Sequence, residues 1–379
     1  MVAIPNHHFF QWVNQLKDSG YEVYWFDVTD GGPKSAKIAW VNQIKGWKLK
    51  WDFPFRITIK KTFPKLYGFI QKYNEFKVSD AFQKTINDVE PNIVHCFEMQ
   101  LSGLPILPVM KRNSLPLIYS SWGSDVFYFE ALGVSKQDVK NFYNRVDNLI
   151  TDNIRDYEIL TKLGYNNHFL GVFPGNGGLQ VETSNIHTVS ERDIILIKGY
   201  EDGVGKASKV IEALTLVSEH LLNDKNIVIY SADNVLKNQV ETTKELSKLS
   251  ITIYSRYAFI QNEKILELMG KSCLHIANSI SDGMPNALLE AMAMGAFPIQ
   301  SNPGGVTEEV ITHLKNGLLI GNPLDVNEIA NHIETALSNQ TLRKEAQTHN
   351  INFVEKHYKR SVLKPKIETL YKIIQTKNK

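Results

Sequence analysis

Residues 281–311, SDGMPNALLEAMAMGAFPIQSNPGGVTEEVI, constrain the fold of this chain more than any other stretch. A Gly283-Met284-Pro285 turn feeds a helix that carries one acid, Glu290, among Leu288, Leu289, Ala291, Met292 and Ala293. A short apolar strand of Phe297, Pro298 and Ile299 then runs into a second glycine turn, Pro303-Gly304-Gly305, and a new helix start. Strand, glycine loop and helix in that order are how α/β proteins turn backbone N–H groups toward a phosphate. A carboxylate on the first turns of such a helix is placed to grip a ribose diol. Asp282 and Glu290 alone would suit a plain helix with a surface acid and a core stripe. Both glycine turns in the same string favour a binding site.

The alternation continues in both directions. In the first half, residues 1–4, 21–26, 92–96, 117–119 and 148–151 read as strands, the last of them as the final strand of that half, and 9–19 as a helix. In the second half, 193–197, 227–230, 251–254 and 273–277 read as strands, and 206–217 and 285–294 as helices. Such alternation argues for parallel, doubly wound sheets. A length of 379 residues suggests two domains. The stretch 170–192 is rich in Gly, Ser, Thr and Asn with little periodicity, and marks the boundary. The expected division is 1–170, 171–355 and a terminal segment 356–379. In that segment Leu363, Ile367, Leu370, Tyr371 and Ile374 line one side of a helix over 361–376.

Hydrophobic residues at 43% and charged residues at 22% exclude a disordered chain and fit a soluble globular enzyme. The formal net charge of +2 points to no polyanionic partner overall. Cys96 and Cys273 lack metal-ligand spacing and read as free buried thiols in a reducing compartment. No run of eighteen apolar residues and no signal-peptide pattern appear, so a cytoplasmic chain is expected. One stretch breaks the neutrality. Residues 34–77 hold eleven Lys and Arg against two acids, Asp52 and Glu75. Trp40, Trp47, Trp51, Phe53, Phe55, Phe63, Tyr67, Phe69 and Tyr73 are interleaved with them. Basic residues mixed with aromatics suit an anionic membrane surface or a lipid-diphosphate-linked acceptor. The alternative is a solvated basic face over the first-domain core. Nucleic acid has no accompanying fold signature here.

The 281–311 string resembles the donor-binding signature of GT-B glycosyltransferases, specifically the large retaining family 4 group. That family separates two acids, usually Glu and Glu, by seven residues; here they are Asp282 and Glu290. The resemblance implies two Rossmann-like domains facing a central cleft, with the terminal helix crossing back to the first. It implies that Glu290 holds the ribose hydroxyls and that Asp282, one methylene short of the usual Glu, lies beside the transferred sugar. Gly283, Met284 and Pro285, with the N–H groups of Asn286, Ala287 and Leu288, would face the sugar or its phosphate. The diphosphate would meet cations from the turn 198–206, Lys198 or Lys206, with Lys206 preferred because it follows a glycine and opens a helix. A solvated Lys206 at that helix start is the alternative, one the helix dipole disfavours. The nucleobase would lie near Arg256, Tyr257 and Ala258.

In the first half, His8 of Asn6-His7-His8-Phe9-Phe10 matches the loop that faces the cleft. Ser121-Trp122-Gly123-Ser124-Asp125-Val126 resembles the family's His-Gly-x-Asp segment, with Trp122 where His is common. That shifts weight to Asp125, which would orient the acceptor or cap the following helix. His95 matches a family His that is more often structural. The implied activity is transfer, with retention, of a sugar from a UDP- or GDP-linked donor. The acceptor would be a glycan or a lipid-linked molecule in bacterial-type cell-surface polysaccharide or glycoconjugate synthesis. The chain would be cytoplasmic, with peripheral contact on the inner face of the membrane through 34–77. No cofactor is implied, and no Asp-x-Asp arrangement suggests a metal. The leaving phosphate would take the acceptor's proton. Two rival classes stand beside this reading. One is a non-catalytic GT-B sugar-nucleotide-binding subunit, suggested by the Asp282 and Trp122 departures. The other is a GT-B epimerase or a phosphorylase, the latter needing a pyridoxal-bearing Lys that no residue identifies.

Overall fold

The computed structural model describes residues 1–182 and 185–377. They divide into two compact units. The first contains Met1–Asp152, Asp156–Gly177 and the chain from Pro365 onward; the second contains Asn153–Arg155 and Gly178–Lys364. The chain leaves the first unit after Gly177 and returns to it at Pro365.

The first unit is built on strands β1 (Val2–Ala3), β2 (Tyr24–Asp27), β3 (Asn42–Ile44), β4 (Val94–Phe97), β5 (Leu117–Ser120), β6 (Asn148–Thr151) and β7 (His168–Val172). They form one parallel sheet in the order β3-β2-β1-β4-β5-β6-β7. β4, β5 and β6 are buried along their whole length, as parallel strands covered on both faces should be. β6 is not the last strand of this half. β7 pairs outside it, on residues whose half-exposed, glycine-interrupted pattern carries no strand signature.

The terminal helix Arg360–Lys377 is tied into this unit by a buried polar chain. The Trp12 indole N–H donates to the Tyr371 hydroxyl at 3.0 Å, and His95 Nδ1 lies 2.8 Å from the same oxygen. His95 Nε2 lies 2.8 Å from the Ser120 hydroxyl. Burial pushes the His95 pKa well down, so the ring is neutral, and its place in the interior is structural.

The second unit carries β8 (Ile194–Lys198), β9 (Asn226–Ala232), β10 (Ser250–Ser255), β11 (Ser272–Ala277), β12 (Phe297–Ser301) and β13 (Leu318–Ile320). The sheet is again parallel, in the order β10-β9-β8-β11-β12-β13. Ile195, Ile197, Ile229, Leu274, Ile276 and Ile299 put its apolar faces into the core. The winding reverses between β8 and β11, and open α/β sheets bind ligands outside the carboxyl ends of the strands at such a point. Cys96 and Cys273 are both free and buried. Among the described residues no helix is long and apolar enough to cross a membrane.

Candidate donor site

The helix Asn286–Ala293 starts from Pro285, whose carbonyl accepts from the Leu288 and Leu289 N–H groups at 3.1 and 3.2 Å. Proline suits this start because it fixes the backbone and donates nothing. Leu288, Leu289, Ala291, Met292 and Ala293 are buried, while Asn286, Ala287 and Glu290 keep part of their surface. Asn286 and Glu290 are one helical turn apart, so the open face runs from the helix start to the acid. Nothing among the described residues bonds the Ala287 N–H. It is one of the first-turn donors that a helix leaves unsatisfied.

Burial pushes the Glu290 carboxyl up to about 7, against the opposing pull of a hydrogen bond with Asn262 and of the Lys198 charge. Burial also raises Asp282, opposed by the Lys198 charge, a bond from the Gly283 N–H and the charge of Arg155. One ammonium thus acts on both acids. Lys198 closes β8 at the point where the winding reverses. Its Nζ lies 4.5 Å from the centre of the Tyr200 ring, and it forms no ion pair among the described residues. The same charge helps burial depress His275 of β11 to about 3. The Arg256 guanidinium also lies against Tyr200, at 4.1 Å from the ring centre, and is paired with Asp202 at 2.9 Å and Asp233 at 3.1 Å.

Lys206 is placed differently from Lys198. It is the residue before the helix Ala207–Leu214, and its Nζ donates to the Gly203 carbonyl at 2.8 Å. Its backbone N–H reaches the Asn278 carbonyl at 2.9 Å, which ties the turn after β8 to the chain leaving β11. Gly205 permits this: a Cβ there would lie 2.3 Å from the Tyr200 carbonyl oxygen. Tyr257 is 73% exposed, and its hydroxyl donates to Asp233 at 3.2 Å. A flat, open aromatic face therefore stands on the turn after β10, with Arg256 beside it in sequence.

Arg155 escaped the sequence reading. It is buried, and its two Nη atoms donate to the Pro303 carbonyl at 2.6 Å and the Asp282 carbonyl at 2.9 Å. One guanidinium therefore joins the two glycine turns. Glu309 completes the joint by accepting from the Ile154 and Arg155 N–H groups at 2.8 and 3.1 Å. The second turn itself is held at positive φ, 62° at Gly304 and 85° at Gly305, a backbone that side chains resist.

Two family models match the chain: Glycosyl transferases group 1 over residues 186–352 and Glycosyl transferase 4-like over residues 2–153. The chain belongs to the GT-B glycosyltransferases. No curated protein sequence matches it. Among solved structures, a sucrose-phosphate synthase from Thermosynechococcus elongatus is 14% identical with a TM-score of 0.73, over 100% of this chain and 96% of the other. Anabaena HepE in complex with UDP-glucose is 13% identical with a TM-score of 0.66, over 98% and 100%. A glycosyltransferase from Rickettsia africae is 16% identical with a TM-score of 0.67, over 97% and 94%. These likenesses establish the fold.

In the first unit of this glycosyltransferase, the predicted residues separate. His8 lies on the first turn of the helix His7–Asn14, capped by the Asn6 side chain, which accepts from the Phe9 N–H at 2.8 Å. Its ring centre is 6.0 Å from that of Trp122, so these two residues come together. Asp125 does not join them at the surface. It is 3% exposed, and its carboxylate accepts from the Met99 N–H at 2.9 Å, the Tyr119 hydroxyl at 2.6 Å and the Trp122 N–H at 2.9 Å. Its oxygens are consumed in shaping the Trp122 turn. Asp125 also stands in the first turn of the helix Ser124–Phe127. Glu98 is buried close by, bonded by the Gln100 and Leu101 N–H groups; burial first and the Asp125 charge second push it up to about 8.

Proposed function

We propose that the chain moves a sugar from a UDP- or GDP-linked donor to a hydroxyl of a glycan or lipid-linked acceptor, with retention at the anomeric carbon. The observation that supports this reading is the open face of the helix Asn286–Ala293, where the Lys198 charge acts on Glu290 and nothing among the described residues bonds the Ala287 N–H. In this reading Glu290 accepts from the ribose hydroxyls. The helix N–H groups and Lys198 take the diphosphate, whose negative charge grows as it leaves. Lys206 joins them only by releasing the Gly203 carbonyl. Tyr257 offers its exposed ring to the base. Asp282 and Asn286, which keep part of their surface, line the position of the sugar, with Gly283, Met284 and Pro285 forming the turn beneath them, whereas the Leu288 N–H is already spent on the Pro285 carbonyl.

The anomeric carbon–phosphate oxygen bond breaks as the acceptor oxygen attacks. The leaving phosphate oxygen takes the acceptor's proton, so no side-chain base is required. His8 and Trp122 mark the acceptor end in the first unit. Bacterial-type cell-surface polysaccharide or glycoconjugate synthesis, in the cytoplasm, is the setting that such an acceptor implies. We extend the proposal to metal independence, because lysine and helix N–H groups supply the positive charge. Donor turnover is expected to be unchanged by EDTA and to fall at least about a hundredfold in Glu290→Ala. Strict dependence on added divalent metal would contradict the first expectation, and an active Glu290→Ala the second.

A second reading has a specific observation behind it. Asp125 is spent on the fold and Asp282 is one methylene short, which is what a non-catalytic sugar-nucleotide-binding subunit would tolerate. Mass-spectrometric detection of free or transferred sugar from a donor incubated with the purified chain separates the two readings.

A further inference from the structure

The basic, aromatic stretch 34–77 divides into two parts that behave differently. Its first part packs on the sheet. Trp47 stacks on Phe26 with ring centres 5.1 Å apart and donates to the Asp27 carbonyl at 2.9 Å. Trp40 donates to Asn14 at 2.8 Å, and Lys45 pairs with Asp27 at 2.9 Å. The second part, the helix Arg56–Thr62 and the helix Pro64–Asn74, does the opposite. No residue of Arg56–Thr62 is buried, and only Tyr67 and Asn74 are buried in the next helix. Trp51, Phe55, Ile57, Phe63, Leu66, Phe69, Tyr73 and Phe76 are all exposed. Seventeen large hydrophobic residues are exposed among the described residues, and these eight fall within one 26-residue stretch. The others are spread along the chain as single residues or close pairs, which a folded surface ordinarily tolerates.

The arrangement is ordered. Leu66, Phe69, Ile70 and Tyr73 stand at spacings of three, four and seven, so they share one face of their helix. Lys65 and Lys72, seven apart, flank that face on one side. Phe55 is held at φ 60° and is 78% exposed, a strained conformation for a bulky residue that gains little packing in return. The charges on this hairpin are also unspent. Arg56 pairs with Asp52 at 2.8 Å and Lys48 with Glu75 at 3.7 Å, which uses both acids of the stretch. Lys60, Lys61, Lys65 and Lys72 form no ion pair among the described residues, although Lys60 lies 5.7 Å from the centre of the Tyr67 ring. A solvated basic face over a core would bury the rings and expose only the lysines. Here both are exposed together.

We propose that residues 51–76 dock onto the surface of an anionic lipid bilayer, with the Leu66–Phe69–Tyr73 face and Phe55 and Phe63 entering the headgroup boundary and Lys61, Lys65 and Lys72 meeting anionic headgroups. Charge decides the occupant. A row of unpaired lysines beside exposed aromatic and aliphatic side chains matches a surface that is apolar beneath and negative above. A second copy of this chain would bring its own lysines against these. The inference does not rest on the donor chemistry; it would stand if the second unit bound some other ligand.

Vesicle flotation with the full chain tests it. Binding is expected to be at least about tenfold tighter to vesicles with roughly one third phosphatidylglycerol than to pure phosphatidylcholine vesicles, and to weaken with added salt. Leu66→Ser combined with Phe69→Ser, and separately Lys61→Glu combined with Lys65→Glu, should each cut that binding by about tenfold or more. All four positions are exposed, so melting temperature and nucleoside-diphosphate binding should match the parent and certify the fold. Equal affinity for both vesicle types, or full binding by the Leu66/Phe69 variant, would overturn the inference. A lipid-free dimer that this variant dissociates would overturn it in favour of a second copy.

Discussion

Glu290 sits where its own charge is disfavoured. Its folded-state pKa of about 7 lies above the ordinary value of 4.5. The fold is therefore unpenalised below 4.5, and stability is lost progressively as pH rises toward 7 and the group ionises. Glu290→Gln removes that loss, which is on the order of 3 kcal/mol. Calorimetry of the ligand-free variant should show a higher melting temperature than the parent at pH 8 and no difference at pH 4. A lower melting temperature at pH 8 would mean that Glu290 is a structural acid. Under the proposed function, ribose hydroxyls would reverse the balance by donating to the charged form. Affinity for the donor nucleotide should fall about tenfold per pH unit below 7. Lys198 and Lys206 form the other residue-scale comparison. Lys198 already stands where it acts on both acids, whereas Lys206 must first release the Gly203 carbonyl. Lys198→Met should weaken nucleoside-diphosphate binding more than Lys206→Met, by calorimetric titration. The opposite ranking would show that the turn after β8 rearranges around the ligand.

At the scale of elements, the site depends on two glycine turns being held in register by Arg155. Arg155→Ala leaves the Pro303 and Asp282 carbonyls without their donor and should cost about 2–4 kcal/mol of stability together with donor affinity. Arg155→Lys should not restore affinity, because an ammonium lacks the fork that reaches both carbonyls. Full affinity in Arg155→Lys would show that the two turns need no common donor. Nothing local in the sequence announces this role, since Arg155 and Asp282 are 127 residues apart. The helix Asn286–Ala293 and its neighbours β11 and β12 were legible for the contrary reason. Proline, buried apolar runs and glycine turns act over a few residues, and each leaves its own pattern. β4, β5 and β6 were legible as short apolar runs buried on both faces. β3 and β7 were not, because they are outer strands with half-exposed, partly polar sequences. Asp125 shows a different limit. A His-Gly-x-Asp-like spacing does not say whether the carboxylate faces outward or is consumed by Met99, Tyr119 and Trp122.

At the scale of the molecule, each unit winds its parallel sheet outward from its first strand in both directions. The two units differ in how openly their sequences declare a site. The second concentrates its donor candidates on loops at the carboxyl ends of β8, β10 and β11 and in the helix that follows. The first spends Asp125 and His95 on its own interior and leaves His8 beside Trp122. A formal charge of +2 over the whole chain conceals a strongly basic segment, half of it packed and half of it standing out as an apolar, lysine-bearing hairpin. The proposed donor recognition and the proposed surface docking use separate parts of the chain and should be lost separately. The most direct measurement is calorimetric titration of UDP and GDP into the parent chain and into Glu290→Gln at pH 8. We predict that at least one nucleotide binds the parent and binds the variant at least about tenfold more weakly while the variant's fold is intact. Equal affinity of the two proteins, or no binding of either nucleotide to the parent, would contradict the assignment of Glu290 and the donor site built around it.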